Sequence, residues 1–306
     1  MNTRSGDAEF DVIVVGGSYA GLSAAMQLAR ARRRVLVIDS GKRRNRSTHR
    51  SHGFLTQDGS EASAIAADGR AQLQAYPTVA WANDTATGAA ADGDGFRITL
   101  GDGGSVSGQR LVLATGVVDT LPPVDGLQER WGKRVFHCPY CHGYELNEGA
   151  IGVLAVGDLS MHHALMLPDW GRVTFLLNGR FEPDAAQLAA LARRGVTVER
   201  TPVARIDGEA DVVLLDGRRL PMAGLFVATR THSASPLASQ LGCAFEEGPI
   251  GAFVATDAQK ATSVPGVFCC GDMARAAGNV ALAVADGAMA GVAAHRSLIA
   301  ELHHAA

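Results

Sequence analysis

Residues 10–21 read Phe10-Asp11-Val12-Ile13-Val14-Val15-Gly16-Gly17-Ser18-Tyr19-Ala20-Gly21, and their order decides the fold. Phe10–Val15 is a short, apolar, β-branched run of the kind buried on both faces of a parallel sheet. A glycine turn follows, then the helix-forming stretch Leu22–Arg30, which runs into a basic cluster from Arg30 to Arg34. Val35-Leu36-Val37-Ile38 supplies a second buried strand, closing on Asp39. Together these make a βαβ unit of dinucleotide-binding length. The turn lets backbone N–H groups and a helix N-terminus meet a pyrophosphate, and the acid at the end of the second strand accepts ribose hydroxyls. Within G-x-G-x-x-G, Gly16 and Gly21 hold the outer places and Ser18 the middle one, where a small residue still permits close phosphate approach. A glycine turn in an unliganded α/β protein is the competing reading, and the agreement of strand, helix, second strand and Asp39 weighs against it.

Outward from this unit, Gly41–Asp58 is basic and polar, with Asn45, Arg46, His49 and His52, and reads as a long loop over the cofactor. A helix is predicted near Ser60–Tyr76, then short strands near Val79–Trp81, Phe96–Leu100 and Leu111–Ala114 separated by Gly/Asp turns. Ala114-Thr115-Gly116 with Pro122-Pro123 shortly after suits both a ligand contact and a domain boundary. A second half opens at about Asp119. Ile151–Val156, Gly157, a helix through Leu167 and Val173–Leu177 repeat the βαβ rhythm in decayed form. Gly157 is the one expected glycine that survives, and Asp158 sits where a phosphate would be repelled. Helix Asp184–Arg194 and strands Val196–Glu199 and Leu225–Thr229 continue that half. The chain then returns through Gly266–Cys270 to Gly271-Asp272 and a small-residue helix over Val280–Leu302. Asp272, at a strand's carboxyl end, reads as a partner for a polyol hydroxyl or as a helix N-cap.

Composition bounds the alternatives. The 306 residues are about twice the usual domain size, so two domains or one large α/β sheet are expected. With 47% hydrophobic and 19% charged residues, a globular core is affordable and dominant disorder is excluded. A net charge of −3 offers no electrostatic footprint for nucleic acid or an acidic membrane surface. No apolar run reaches membrane-spanning length, and the polar Met1–Glu9 has no signal-peptide core, so a cytoplasmic protein is expected. In a reducing compartment five cysteines make a poor structural framework, which turns attention to the close-spaced pair.

That pair lies in His137-Cys138-Pro139-Tyr140-Cys141-His142-Gly143. Zinc would need a second Cys or His pair at ligand spacing, and the adjacent pairs Cys269-Cys270 and His162-His163 do not have it. Two buried structural thiols are a further possibility. A redox dithiol is favoured because His137 and His142 flank the pair with groups able to hold or pass a proton near neutral pH. Cys243, Cys269 and Cys270 read as core filler. His162 and His163 read as surface or pocket-lining residues without a catalytic role.

Four motifs in order, the Gly16–Gly21 turn, Ala114-Thr115-Gly116, Cys-x-x-Cys and Gly266-Val267-Phe268 to Gly271-Asp272, make the chain similar to the low-molecular-weight thioredoxin reductases over essentially its whole length. The resemblance implies an α/β chain of two Rossmann-like, three-layer FAD/NAD(P)-binding domains, the second inserted in the first. Residues 1–118 and 240–306 would form an FAD domain, and 119–239 a pyridine-nucleotide-like domain carrying the dithiol. It implies that Gly16, Ser18, Tyr19, Ala20 and Gly21 hold the pyrophosphate, Asp39 with Ser40 the adenosine ribose, and Asp272 beside Gly271 the ribitol. Asn45, His52, Thr115, Gly116 and Val280 would complete the cofactor site. Cys141 would face the flavin and Cys138 the external sulfur, and a homodimer is expected.

Departures from that family set the expected direction of electron flow. Asp-Gly normally follows the second cysteine, where this chain has His142-Gly143. The glycine-rich NADPH loop and its basic 2′-phosphate stretch are replaced by Gly157-Asp158 and Asn178-Gly179-Arg180, and Asn279-Val280 stands near where an Arg-Gln pair is usual. Cys138–Glu145, Cys-x-x-Cys-His-Gly-Tyr-Glu, is similar to the dithiol oxidases that close disulfides of the gliotoxin, holomycin and FK228 type. The expectation is an FAD-dependent oxidase of a small-molecule dithiol, with His142 deprotonating the substrate thiol and oxygen or another acceptor taking the electrons. An NAD(P)H-dependent thioredoxin or small-disulfide reductase is the alternative, and a binding flavoprotein without turnover a third.

Overall fold

A computed structural model describes residues 9–299. Two compact units are present, one built from residues 1–44, 62–118 and 231–306 and the other from 45–61 and 119–230. The expected domain limits differ at two points. Asn45–Glu61, read as part of the first domain, belongs to the second unit, and the chain returns at Arg230/Thr231 and not at 239/240.

The first unit is organised by a seven-stranded sheet. Its parallel part runs Val79–Ala82, Val35–Ile38, Phe10–Val15, Ser105–Leu113 and Val267–Cys269. Val12, Ile13 and Val14 are fully buried, which is why this strand carries an unbroken apolar run and not an alternating one. Val12 and Val14 face a core shared with helices Tyr19–Arg30 and Val280–Arg296, while Ile13 and Val15 face the opposite core with Leu111, Leu113 and Cys269. Ser105–Leu113 divides its outer edge. Its first half pairs antiparallel with Gly95–Leu100 and its second half parallel with Val267–Cys269, so that strand Ala86–Asp92 can join as an antiparallel extension. The helix predicted over Val280–Leu302 is observed over Val280–Arg296, and residues 300–302 of that prediction, like residues 1–8 of the polar N-terminus, lie outside the described residues.

The second unit holds a five-stranded parallel sheet in the order Val135–Phe136, Gly224–Val227, Glu148–Leu154, Gly171–Leu176, Thr197–Glu199. A three-stranded antiparallel sheet, Val203–Asp207, Asp211–Leu214 and Arg219–Leu220, was not expected from the sequence. The helix read from Asp184 begins at Ala185 because Asp184 closes a capping box: its carboxylate accepts from Gln187 N at 2.8 Å, and Gln187 accepts from Asp184 N at 2.8 Å. Among the described residues no helix is long and apolar enough to cross a membrane.

Candidate active site

In the first unit the glycine turn is forced by contact. A Cβ on Gly16, whose φ is +106°, would lie 2.3 Å from the Ala114 carbonyl oxygen, and one on Gly21 would lie 1.7 Å from the Gly16 oxygen. Asp39 secures the turn from the neighbouring strand, its Oδ1 accepting from Gly17 N at 3.2 Å and from Gly41 N at 3.1 Å across Ser40. Ser18 is the extended N-cap of helix Tyr19–Arg30. Its hydroxyl makes no capping bond and no acid lies in the first turn, so the helix presents its leading N–H groups and positive dipole end to an outside acceptor. Those features fit a dinucleotide pyrophosphate.

The other residues expected to hold cofactor divide. Thr115 Oγ1 reaches Met273 Sδ at 3.1 Å, and a Cβ on Gly271 would come within 2.9 Å of Ala20 Cβ, which joins the Ala114-Thr115-Gly116 turn to the segment after the last strand. Gly16, Ala20, Gly21, Asp39, Thr115, Gly116 and Gly271 therefore cluster at the carboxyl ends of the parallel strands, where open α/β sheets bind ligands. Tyr19 points its hydroxyl away to the Ala62 carbonyl at 3.0 Å. Asp272 is paired with Arg44, Oδ2 to Nη1 at 2.8 Å, and is not a helix N-cap side chain; Asn279, preceding Val280, caps the long helix by accepting from Leu282 N at 2.8 Å. Asn45 and His52 fall in the second unit.

The dithiol belongs to the second unit. Cys138 and Cys141 form a disulfide, with Cα atoms 5.3 Å apart, across the short helix Pro139–His142 that follows strand Val135–Phe136. Proline at the first helical position presets this turn. Gly143 is required by packing, since a Cβ there would lie 2.7 Å from the Trp170 indole, against which Tyr140 also packs edge-on at 5.3 Å. His137 lies 5.7 Å, centroid to centroid, from Trp131. His142 stacks on Phe136 at 4.2 Å and 23°. Burial first, and His52 second, push the His142 pKa down to about 4.

His163 is the residue that the sequence reading missed. It is 9% exposed, not superficial, and it hydrogen-bonds the backbone of His137, immediately before Cys138. Its Nδ1 is buried without a partner, which leaves the Nε2–H as donor to the His137 carbonyl. Burial and then His162 lower its pKa to about 4, with the His137 bond opposing. Cys243, Cys269 and Cys270 are free and buried; burial raises all three thiols, Cys270 to about 12, so they pack as small apolar side chains. Asp286, 4% exposed, is held by Lys260 at 3.0 Å and Arg275 at 3.2 Å. Among the described residues no cluster of three or more His, Cys, Asp or Glu is placed to hold a metal.

The decayed βαβ repeat is closed by its own side chains. Buried Ser160 accepts from Val156 N at 3.0 Å across the Gly157-Asp158 turn, and the helix behind it, Ser160–Met166, has seven residues. Asn178 is turned inward, its Oδ1 accepting from Val203 N at 2.9 Å, which leaves Arg180 exposed as the nearby cation.

A dinucleotide cradle of this form and a Cys-x-x-Cys disulfide in one chain define a flavin-dependent thiol–disulfide oxidoreductase. The chain belongs to the pyridine nucleotide-disulphide oxidoreductase family, which it matches over residues 10–290. It is similar to thioredoxin reductase tcpT of Claviceps purpurea (strain 20.1), 33% identical over 96% of this chain and 95% of that one. Among solved structures it is similar to an oxidoreductase from Agrobacterium tumefaciens, at 55% identity and a TM-score of 0.92 over 94% of this chain and 98% of that one. It is also similar to HlmI, at 35% identity and a TM-score of 0.89 over 99% of this chain and 96% of that one.

The two depressed histidines make stability depend on acid. Unfolded, each takes a proton below about 6.5, whereas folded each stays neutral to about 4. The unfolded state therefore binds more protons in that window, and stability falls as pH drops through it, by on the order of a few kcal/mol in total. Urea midpoints measured from pH 7.5 to 4.5 should decline, with a shallower decline in His163→Leu. An equal slope in that variant would remove His163 from the account.

Proposed function

We propose that this protein is an FAD-dependent oxidase that forms a disulfide in a small-molecule dithiol through Cys138 and Cys141. The observation that carries the reading is the asymmetry between the two nucleotide turns. One offers an uncapped helix N-terminus beside Asp39, whereas the other is filled by Ser160 and Asn178 and edged by Asp158. A nicotinamide donor would need the second. Electrons then enter at the disulfide, from substrate.

A substrate thiolate attacks Cys138 Sγ, forming a mixed disulfide as the Cys138–Cys141 bond breaks and Cys141 leaves as a thiolate. The second substrate thiolate attacks the substrate sulfur of that mixed disulfide and releases the cyclic product, with Cys138 as leaving thiolate. Substrate loses two electrons and two protons, and the cysteine pair gains the electrons. FAD held by Gly16–Gly21, Asp39 and Asp272 would supply the two-electron acceptor that restores the disulfide, passing electrons to oxygen or another acceptor. Asp272 would exchange part of its pairing with Arg44 for the ribitol hydroxyls. The protein would act as a homodimer in the cytoplasm.

A second reading, an NAD(P)H-dependent thioredoxin or small-disulfide reductase, is favoured by the name of the Claviceps purpurea relative. The two separate in one experiment. Anaerobic dithiothreitol should bleach the flavin within seconds while NADPH and NADH leave it oxidised over minutes. Rapid bleaching by NADPH with none by dithiols would establish the reductase.

A further inference from the structure

We propose that Asp286 is a positioning residue for the flavin: with Lys260 and Arg275 it forms a buried ion triad that pins the segment Gly271–Asn279, so that Asp272 is held where the ribitol hydroxyls arrive. The role rests on the reading of Asp272 as the partner of those hydroxyls.

Asp286 is the one acid in helix Val280–Arg296, whose other residues are small or apolar up to His295. A carboxylate buried to 4% exposure is costly in so apolar a setting unless it is paired. Both partners come from outside the helix. Lys260 Nζ reaches Oδ1 at 3.0 Å and Arg275 Nε reaches Oδ2 at 3.2 Å, the second contact resting on charge, since neither Nε nor Oδ2 makes a hydrogen bond. Lys260 extends to Asp286 from a strained backbone. Its φ is +70°, a conformation uncommon outside glycine, and the turn around it is tied by Asp257 Oδ1, which accepts from Gln259 N at 2.8 Å and from Ala261 N at 2.9 Å. Cys269 N donates to Lys260 O at 3.0 Å, which fastens the same residue to strand Val267–Cys269.

Arg275 carries the clamp to Asp272. It follows the turn Gly271–Ala274 in extended backbone, four residues before Asn279 caps the helix on Leu282 N at 2.8 Å. A Cβ on Gly278 would stand 2.1 Å from Asp272 Oδ1 and 3.5 Å from Arg275 Cδ, so the Asp272 carboxylate and the Arg275 stem flank the same glycine. Arg44 Nη1 holds the other oxygen, Oδ2, at 2.8 Å. Asp272 is thus confined by Arg44 at one oxygen and by the Gly278 backbone at the other, and Arg275 anchors the loop that brings Gly278 there. With Asp286 neutralised, two cations would stand beside an uncharged group in an apolar interior, and the loop would move outward to hydrate them. The adenosine half of the cofactor is assigned to Gly16–Gly21 and Asp39, so the triad acts on one half of the ligand.

The test compares FAD with ADP, which shares the adenosine and pyrophosphate but lacks the ribitol and ring. The whole chain, freed of flavin, is titrated with each by calorimetry, a readout independent of turnover. Asp286→Asn should weaken FAD by roughly 10- to 10²-fold, the worth of a hydrogen bond to a charged group, and leave ADP affinity unchanged. Gly278→Ala, which presses directly on Asp272, should give the same split, as should Asp272→Asn. Added to Asp272→Asn, the Asp286→Asn change should cost nothing further, because both act through one carboxylate. Where Asp286→Asn does not fold, Arg275→Gln, which leaves Asp286 paired with Lys260, gives the same readout. Unchanged FAD affinity in these triad variants overturns the role. So does an equal loss of FAD and ADP, the mark of plain structural support, since Gly287 beside Asp286 packs on Ala20 at the pyrophosphate turn. Additive losses in the double variant would overturn the link to Asp272. A wild-type protein that binds FAD, with Asp272→Asn binding it equally well, would overturn the assignment of the ribitol to Asp272 itself, a separate outcome.

Discussion

Cys138→Ser should fold and carry flavin as the wild type does, yet lose dithiol-driven turnover by at least about 10³-fold, the scale on which removal of an attacking or attacked group acts. The disulfide is local: Cys138 is the N-cap of a short helix and Cys141 lies within it, so its loss does not release a long loop. Cys141→Ser should be equally inactive but chemically distinct. Cys138 remains there as a free thiol without its resolving partner, so an external aromatic disulfide should leave a stable adduct on Cys138. In Cys138→Ser the adduct, if formed at all, should accumulate more slowly. Intact mass spectrometry after a short incubation reads both. Faster trapping on Cys141 than on Cys138 would reverse their assignment, and substantial turnover in either variant would show that the disulfide is not on the electron path.

Local chemistry is legible in the sequence where burial and close backbone approach leave little choice of residue. The first βαβ unit could be read because its strands are buried on both faces and so print unbroken apolar runs, and because Gly16 and Gly21 stand where the backbone admits no Cβ. Asp184 announced its helix through an ordinary capping box. Ala86–Asp92 gave no such signal: Ala-Thr-Gly-Ala-Ala-Ala-Asp has almost no β-forming residue, and its strand exists through its pairing with Phe96, Ile98 and their neighbours. The sheet from Val203 to Leu220 was hidden by charge, since Arg205, Arg219, Asp207 and Asp211 pair with one another on its strands.

Histidines were the hardest residues to place. His162 and His163 adjoin in sequence, but successive helical residues point about 100° apart, which turns His162 to solvent and buries His163 against the backbone of His137. His52 and Glu145 are far apart in sequence and are brought together by a strap that crosses from one unit's sequence into the other's fold. No periodicity records such a contact. His142 was legible as a neighbour of Cys141, whereas its stacking on Phe136 and the burial that lowers its pKa to about 4 were not.

Gly287→Ala should destabilise the first unit and release its flavin, and here the sign of the effect is itself the test. Alanine is worth up to about 1 kcal/mol over glycine in an unobstructed helix, so open space at this position would make the variant more stable. Gly287 has none: a Cβ would stand 2.0 Å from the Ala20 carbonyl oxygen, and one on Gly291, a turn later, 2.4 Å from the Ala24 oxygen. Both partners are backbone atoms of helix Tyr19–Arg30 and cannot rotate away, so helix Val280–Arg296 must move outward. Overpacking of this kind costs about 1–3 kcal/mol, occasionally more. The displacement acts on Ala20, in the first turn after Ser18, where the dinucleotide would be held; flavin affinity should therefore fall together with stability. Gly69→Ala is the control. It lies within helix Ala62–Gln74, and its Cβ would meet only the Leu22 Cδ1 methyl, at 3.2 Å, which a rotamer change can relieve. Thermal unfolding with flavin fluorescence as a release signal should show a lower midpoint for Gly287→Ala and an unchanged or higher one for Gly69→Ala. A Gly287→Ala protein as stable as wild type would mean that the two helices stand further apart than their glycines imply, and that the close backbone approach supporting the cradle is not required.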